Sequence, residues 1–299
     1  MNKIQSYFDT YEIFFQIRNR YNLHSYGDWI GLVIDNYKFL NLSQQYTSTD
    51  RWKKMVRVVI SQSSTDINSF LKEIKIKIAS NFDPHNQISG FSQINTIFNW
   101  PNAKEQNNYI QLTDSFRITE SLLGQSNINL ICCGTTLRDI AVCFIPINNE
   151  IETFLADYKL NLSDLKCFDL VYTIQFLKTF IKRNQSTKIM KLIKNLYIKP
   201  IELKSSTDSS CMNHLKTNFS GAPFEIVNIF HDNTIQLTSD GIFINQPTIK
   251  VTDKDTKEVS KIIDIKEESE YLIGNHYIMW IEDISINSNI AIACYVNDK

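Results

Sequence analysis

The spacing of apolar residues changes once along this chain, and that change limits the folds open to it. Before residue 204 many apolar residues recur every three or four positions, which is the period of an amphipathic helix. After residue 223 apolar residues fall in short runs with a period of two, separated by turn signals, which is typical of β-strands. Residues 204–223, between the two patterns, are polar and rich in Ser and Thr.

These patterns predict an α+β fold in three parts. A mixed α/β N-terminal domain with a helical core is expected over residues 1–203, a linker over 204–223, and an acidic, all-β C-terminal module over 224–299. Many short strands with regular turns predict that the module is a small antiparallel barrel or sandwich. Its strands are expected at 224–230, 234–237, 241–245, 248–252, 259–265, 271–273, 277–281 and 290–296.

A long helix over about 163–183 is expected to be central to the N-terminal core, because its apolar stripe is unusually wide. An antiparallel hairpin is expected from the β-prone runs 128–133 and 140–147. A strand is expected over 55–61, and residues 81–108 are expected to be rich in loops. Residues 28–40 fit a helix or a strand. The remaining helices are expected over 4–20, 65–80, 114–123, 150–158 and 187–197.

Composition places the chain among ordinary globular proteins, with 43% hydrophobic and 21% charged residues. Heavy use of Asn, Ile and Lys with few Gly indicates an A+T-rich bacterium or virus. Asp9 and Glu12 interrupt any apolar segment near the start, so no signal peptide is expected. No apolar run is long enough for a membrane span, so we expect a cytoplasmic protein whose cysteines are reduced and buried.

Charge is unevenly distributed between the two ends of the chain. Residues 1–221 contain 25 Lys and Arg and 19 Asp and Glu, whereas residues 222–299 contain 6 and 13. Opposite charges suit docking, either of the C-terminal module on the rest of the chain or of the chain on a partner.

A basic run without any acidic residue covers 171–200. If two packed helices carry it, its cations project as one patch that binds a polyanion, a protein partner or only solvent. The candidate binding residues of this basic patch are Lys178, Lys182, Arg183, Lys188, Lys191, Lys194 and Lys199.

The segment Tyr277–Trp280 has apolar residues on both faces of a predicted strand. Such a strand must bury both faces, against its own barrel, the N-terminal domain or another chain. Tyr277, Met279 and Trp280 are therefore candidate interface residues.

Signatures of catalysis or metal binding are weak. Glycine patterns of phosphate-binding loops and the G-x-S-x-G pattern of hydrolases are absent. Cys211 and His214 supply only two metal ligands, where a structural zinc site needs about four. A nucleophilic Cys211 with His231 or His276, or a nucleophilic Cys133 beside Gly134, is not testable from spacing alone. We therefore assign no catalytic residue, metal or cofactor from the sequence.

These features favour a non-enzymatic structural or adaptor component of a larger assembly, such as a secretion apparatus, a phage particle or a viral complex. It would act through protein–protein interfaces with other subunits, as a homo- or hetero-oligomer. The alternative is a nucleic-acid-binding or processing protein that uses the basic patch over 178–199. A third hypothesis is an enzyme whose site is assembled from distant residues.

Overall fold

The computed structural model describes most of the chain, and every structural statement below refers to this part. The described residues are 3–6, 8–44, 48–75, 87–123, 126–162, 169–184, 193–208, 212, 215–217, 224–245, 269–286 and 289–297.

The helices are α1 (Phe8–Tyr21), α2 (Ile34–Gln44), α3 (Asp50–Met55), α4 (Ser64–Glu73), α5 (Asn149–Asp157) and α6 (Asp169–Arg183). The strands of the N-terminal half are β1 (Lys3–Ser6), β2 (Trp29–Ile30), β3 (Val56–Ser61), β4 (Gln87–Ile94), β5 (Thr96–Asn99), β6 (Ala103–Gln106), β7 (Tyr109–Thr113), β8 (Phe116–Leu123), β9 (Ser126–Gly134) and β10 (Ile140–Pro146). Those of the C-terminal half are β11 (Asn195–Ile198), β12 (Ile201–Asp208), β13 (Lys216–Thr217), β14 (Glu225–Leu237), β15 (Gly241–Ile244), β16 (Glu270–Leu272), β17 (His276–Asp283) and β18 (Asn289–Asn297).

The chain divides into two compact units. The first unit contains residues 1–5, 96–204 and 234–299, and the second contains residues 6–95 and 205–233. The strand β14 passes from the second unit into the first at residue 234.

The first unit is built on a six-stranded sheet in the order β1-β18-β17-β10-β9-β8. Its central strands are antiparallel, with Phe144 of β10 opposite Met279 of β17. Both faces of β17 are buried, and the Phe144 and Tyr277 rings meet edge to face at 5.7 Å. A second sheet, in the order β16-β11-β7-β6, joins strands from both halves of the chain.

The second unit packs α1 and α4 against β3 and β4. Ser63 begins α4, because its hydroxyl accepts the backbone N–H of Asp66. The apolar face of α4 then packs into a buried cluster that contains Ile67, Leu71 and Phe91. Burial of this helix face contributes to the stability of the unit.

The α+β class predicted from the sequence is confirmed, but the separate C-terminal barrel or sandwich is not supported. The C-terminal strand β17 pairs with β10, and β16 pairs with β11, so these strands complete sheets begun earlier in the chain. Alternation within a strand reports burial and does not identify the neighbouring strand. The boundaries at 203 and 223 stay a prediction, although β12 and β13 lie near or within the predicted linker.

Several local predictions are confirmed and others are wrong. The predicted hairpin over 128–147 is confirmed as β9 and β10. The predicted helix over 114–123 is wrong, because this segment forms β8 and pairs with β9 along its length. The loop-rich segment 81–108 contains β4, β5 and β6, and residues 195–197 lie in β11 instead of a helix. The predicted strands over 248–252 and 259–265 lie outside the described residues.

Candidate functional site

A short strand, β15, lies between β14 and β5 in the first unit. One of its edges pairs antiparallel with the end of β14, where Ile244 is opposite Ile235. Its other edge pairs antiparallel with β5, where Ile244 is opposite Thr96. Ile242 and Ile244 are fully buried. The strand is therefore a central one, with backbone partners on both sides, although it is only four residues long.

A tight turn brings the chain from β14 into β15. The backbone N–H and C=O of Thr238 bond to those of Gly241, at 2.9 Å and 3.3 Å. Trp100, which follows β5, holds the turn because its indole Nε1 donates to the Thr238 carbonyl at 3.0 Å. Gly241 has φ +153, and a Cβ there would lie 2.3 Å from the Phe98 carbonyl oxygen. Only glycine fits this approach of β15 to β5.

The strand β15 ends at Ile244, and the next residue, Asn245, has φ +52. A left-handed residue turns the backbone out of the strand direction, and Asn tolerates this conformation better than most residues. The Asn245 side-chain carbonyl accepts the Thr234 backbone N–H at 2.6 Å, and the Asn245 N–H donates to the Thr234 carbonyl at 2.9 Å. Asn245 thus stops β15 while its neighbour β14 continues.

In the second unit, the first part of β14 pairs directly with β4, and the two strands are parallel. The register shifts between Ile226 and Ile229, so the ladder is interrupted. Parallel pairs are somewhat less stable per residue than antiparallel ones. This ladder is therefore a comparatively weak seam in the second unit.

The seam is held by a buried histidine. His231 is 3% exposed and lies opposite Ser92 in the β4–β14 register. Its Nδ1 hydrogen-bonds with Ser92 Oγ at 2.6 Å, and its Nε2 with Thr10 Oγ1 of α1 at 3.0 Å. In a neutral imidazole one nitrogen donates and the other accepts, so both hydroxyl groups are satisfied. His231 therefore ties β14 to β4 and to α1.

The structure places the predicted basic residues in different settings. Lys178 lies on α6, where its Nζ is 2.6 Å from Glu282 Oε1 in a part-buried ion pair. Lys182 and Arg183 are exposed in the last turn of α6, and Lys194 is exposed before β11. Lys188 and Lys191 lie outside the described residues, and Lys199, which follows β11, is half-buried. Lys194 lies directly before β11 and not in a helix, so the helical spacing expected for it does not apply.

The predicted interface residues Tyr277, Met279 and Trp280 lie in β17 and are at most 1% exposed. Neighbouring strands β10 and β18 pair with both edges of β17. The chain itself therefore buries these side chains, which was one of the alternatives that the sequence left open.

No cluster of three or more His, Cys, Asp or Glu that could hold a metal ion occurs within the described residues. In the same part of the chain, no helix is long and apolar enough to cross a membrane.

Comparison with known proteins shows similarity in structure but not in sequence. No protein-family model matches the chain, and no curated protein sequence matches it. Thyroxine-binding globulin, in its complex with thyroxine, is 10% identical with a TM-score of 0.51, over 99% of this chain and 92% of that one. A tumour suppressing serpin is 8% identical with a TM-score of 0.50, over 100% of this chain and 93% of that one. These structures are serpins, and identities this low show the fold alone.

The serpin-like fold contradicts both functions favoured by the sequence. The neighbours reported are thyroxine-binding globulin and a serpin, which are neither structural assembly components nor nucleic-acid binders. The adaptor prediction depended largely on the absence of catalytic motifs, and that absence does not identify an assembly component. The nucleic-acid prediction depended on a continuous basic helical face, whereas Lys178 is paired with Glu282 and Asn195 begins a strand.

Sequence reasoning missed the structural settings of His231 and Asn245. His231 was considered as a partner for a nucleophilic cysteine. The one signal available in the sequence was that polar residues interrupt the strand pattern of 224–237. A histidine buried there needs hydrogen-bond partners on neighbouring elements.

Proposed function

We propose that this chain is a protease inhibitor that traps its target by adding a strand to its own sheet. Serpins act by inserting a loop as a strand into a β-sheet, which releases stored strain. The observation that carries the proposal is the position of β15, which already pairs on both edges with β14 and β5. The strand β15 runs antiparallel to both neighbours, which is the direction that an added strand requires.

The register indicates where such a strand would continue. Ile244 of β15 lies opposite Ile235 of β14, so the next residues of an extended β15 would run along β14 towards Glu225. The same residues would face β4 on the other side, replacing the parallel β4–β14 ladder by two antiparallel ones. That exchange is favourable because antiparallel ladders are the more stable kind and each buried backbone group keeps a partner.

The chain has enough residues for this extension. Residues 245–269, between β15 and β16, number 25. The stretch of β14 from Thr234 back to Glu225 is only ten residues long. A cut in the connection between β15 and β16 would free one end of it, and the part that remains attached to β15 is then able to extend the strand.

Two contacts oppose the extension until the target cleaves the chain. Asn245 holds the backbone in a left-handed turn after β15. His231 and Ser92 hold the seam that the strand must enter. An inhibitor of this kind needs both, because its sheet must open only after the protease has attacked.

The inhibitor's partner is therefore a protease, and a serine protease is the target class that the fold favours. In the expected reaction, the protease serine attacks a peptide carbonyl of this chain, the peptide bond breaks, and the amine of the C-terminal fragment leaves. The resulting acyl-enzyme is the covalent intermediate of serine proteases. Strand addition would hold the protease in that state.

A panel of purified serine proteases of different specificity tests the proposal. At least one is expected to lose its activity at near-stoichiometric ratio and to form a complex that survives denaturing electrophoresis. Chain that has already been cut between β15 and β16 is the control, and it is expected not to inhibit. Digestion of the intact chain by every protease in the panel, without loss of protease activity, would count against the proposal.

A further inference from the structure

Two cysteines lie side by side on neighbouring strands of the six-stranded sheet of the first unit. Cys132 of β9 lies opposite Cys143 of β10 in the antiparallel register. The Cys143 thiol donates to the Cys132 sulfur, and the two sulfur atoms are 3.1 Å apart. Both cysteines are free.

The two thiols differ in exposure. Cys143 is 1% exposed, whereas Cys132 is only partly buried. The neighbouring Cys133 is fully buried and points to the opposite face of the sheet, because side chains alternate along a strand. A reagent from solvent therefore reaches Cys132 first.

Charged groups complete the cluster. Glu282 Oε2 lies 3.8 Å from Cys143 Sγ and accepts the Trp280 indole N–H at 3.2 Å. Lys178 Nζ holds the other carboxylate oxygen at 2.6 Å. A carboxylate in this position is able to take the Cys143 proton.

The hydrogen bond between the two thiols shifts their pKa values in opposite directions. The pKa of Cys132 is lowered, mainly because Cys143 donates to its thiolate, and burial and the Glu282 charge only partly oppose this. The pKa of Cys143 is raised, mainly because it is the donor in the same bond and also because it is buried. Cys132 therefore has the properties of an attacking thiolate, and Cys143 those of a second thiol held beside it.

We propose that Cys132 and Cys143 form an oxidation site that reduces a hydroperoxide and closes to a disulfide between β9 and β10. In the first step the Cys132 thiolate attacks one peroxide oxygen. The S–O bond forms, the O–O bond breaks, and the departing oxygen takes a proton from solvent. The sulfur is oxidised to a sulfenic acid, and the hydroperoxide is reduced to an alcohol, or to water from hydrogen peroxide.

In the second step Cys143 loses its proton to Glu282 or to water and attacks the Cys132 sulfur. The S–S bond forms, the S–O bond breaks, and hydroxide leaves to become water. In total, two thiols and one hydroperoxide yield one disulfide, one alcohol and one water. Opposite residues of antiparallel strands have Cα atoms roughly 4.5–5.5 Å apart, within the range that a disulfide accepts.

The test is treatment of the whole chain with equimolar hydrogen peroxide, followed by alkylation and peptide mapping. Cys132 is expected to become joined to Cys143 with loss of two hydrogen atoms, and dithiothreitol is expected to reverse the change. The Cys133→Ser variant is studied in parallel, so that a modification found on this peptide is assigned to Cys132 and not to the adjacent Cys133.

Two further variants separate the steps. Cys143→Ala is expected to stop at a sulfenic acid on Cys132 that dimedone traps, and Cys132→Ala is expected to leave Cys143 reduced. The proposal is overturned if wild-type Cys132 remains alkylatable after peroxide, if it is overoxidised without a link to Cys143, or if it links to a second molecule. None of these readouts depends on protease inhibition, so the two proposals fail separately.

Discussion

Substitution of Gly241 by alanine should dislodge β15, and the structure allows the size of the effect to be worked out. Gly241 has φ +153, and an added Cβ would lie 2.3 Å from the Phe98 carbonyl oxygen and 2.8 Å from the Asn99 Cα atom. Both are backbone atoms, so they cannot move aside as a side chain would. Backbone strain of this kind costs roughly 1–3 kcal/mol, and overpacking adds roughly another 1–3 kcal/mol.

Gly241→Ala is therefore expected to lower stability by about 2–6 kcal/mol if β15 stays in place. In a protein of 299 residues that corresponds to a fall in Tm of roughly 3–10 °C. Thermal unfolding followed by circular dichroism measures it.

The matched control is Gly274→Ala, in the same unit, because nothing lies within 4 Å of a Cβ at that position. Its Tm should stay within about 1 °C of the wild type, as surface substitutions usually change stability by less than 0.5 kcal/mol in either direction. Equal Tm values for the two variants would refute the close approach of β15 to β5.

Three further substitutions test the seam, the strand end and the charged cluster. His231→Ala removes the partner of two buried hydroxyl groups and should destabilise the chain by about 2–4 kcal/mol in urea unfolding, whereas alanine at the exposed His24 should have little effect. Asn245→Val disfavours the left-handed turn by about 1–2 kcal/mol, so it should shorten the half-life of inhibitory activity severalfold. Asn245→Gly loses the same side-chain hydrogen bond but keeps the left-handed turn, so it should shorten the half-life less. Lys178→Met leaves a part-buried carboxylate without its cation and should lower the free energy of unfolding by roughly 1–3 kcal/mol. The control Lys182→Met, one turn further along α6, should be near neutral. Equal effects of the two substitutions would show that the ion pair does not stabilise the chain.

Local features of the fold were predictable where neighbouring residues in sequence are also neighbours in space. The hairpin of β9 and β10 was predictable because two β-prone runs are separated by a short polar connection. The helix α5 begins where Asn148 accepts the Ile151 backbone N–H at 2.9 Å, a capping arrangement that its sequence favours.

Pairings between distant segments were not predictable. The sequence FRITESLL of β8 fits a helix or a strand, and only its pairing with β9 makes it a strand. The two apolar faces of β17 indicated burial on both sides, but nothing in the sequence identified β10 as the partner. These contacts join segments that are distant in sequence, so the local spacing of apolar residues does not predict them.

The site was the least predictable part of the molecule. Residues 231–233 are polar and divided β14 into two predicted strands, because the partners that bury His231 lie on α1 and β4. The close approach of Gly241 to Phe98 depends on β5, which lies more than a hundred residues earlier in the chain. A function based on adding a strand has no catalytic motif that a sequence could display.

The most direct test of the account is a comparison of Tm before and after one cut between β15 and β16, made at an inserted recognition sequence for a site-specific protease. The central claim is that the part of this connection attached to β15 can extend the strand between β4 and β14. It predicts that the cut chain unfolds at a clearly higher temperature than the intact chain, and that the amides of β4 and β14 become more protected from hydrogen exchange. An unchanged or lower Tm, with unchanged exchange in these two strands, would contradict it.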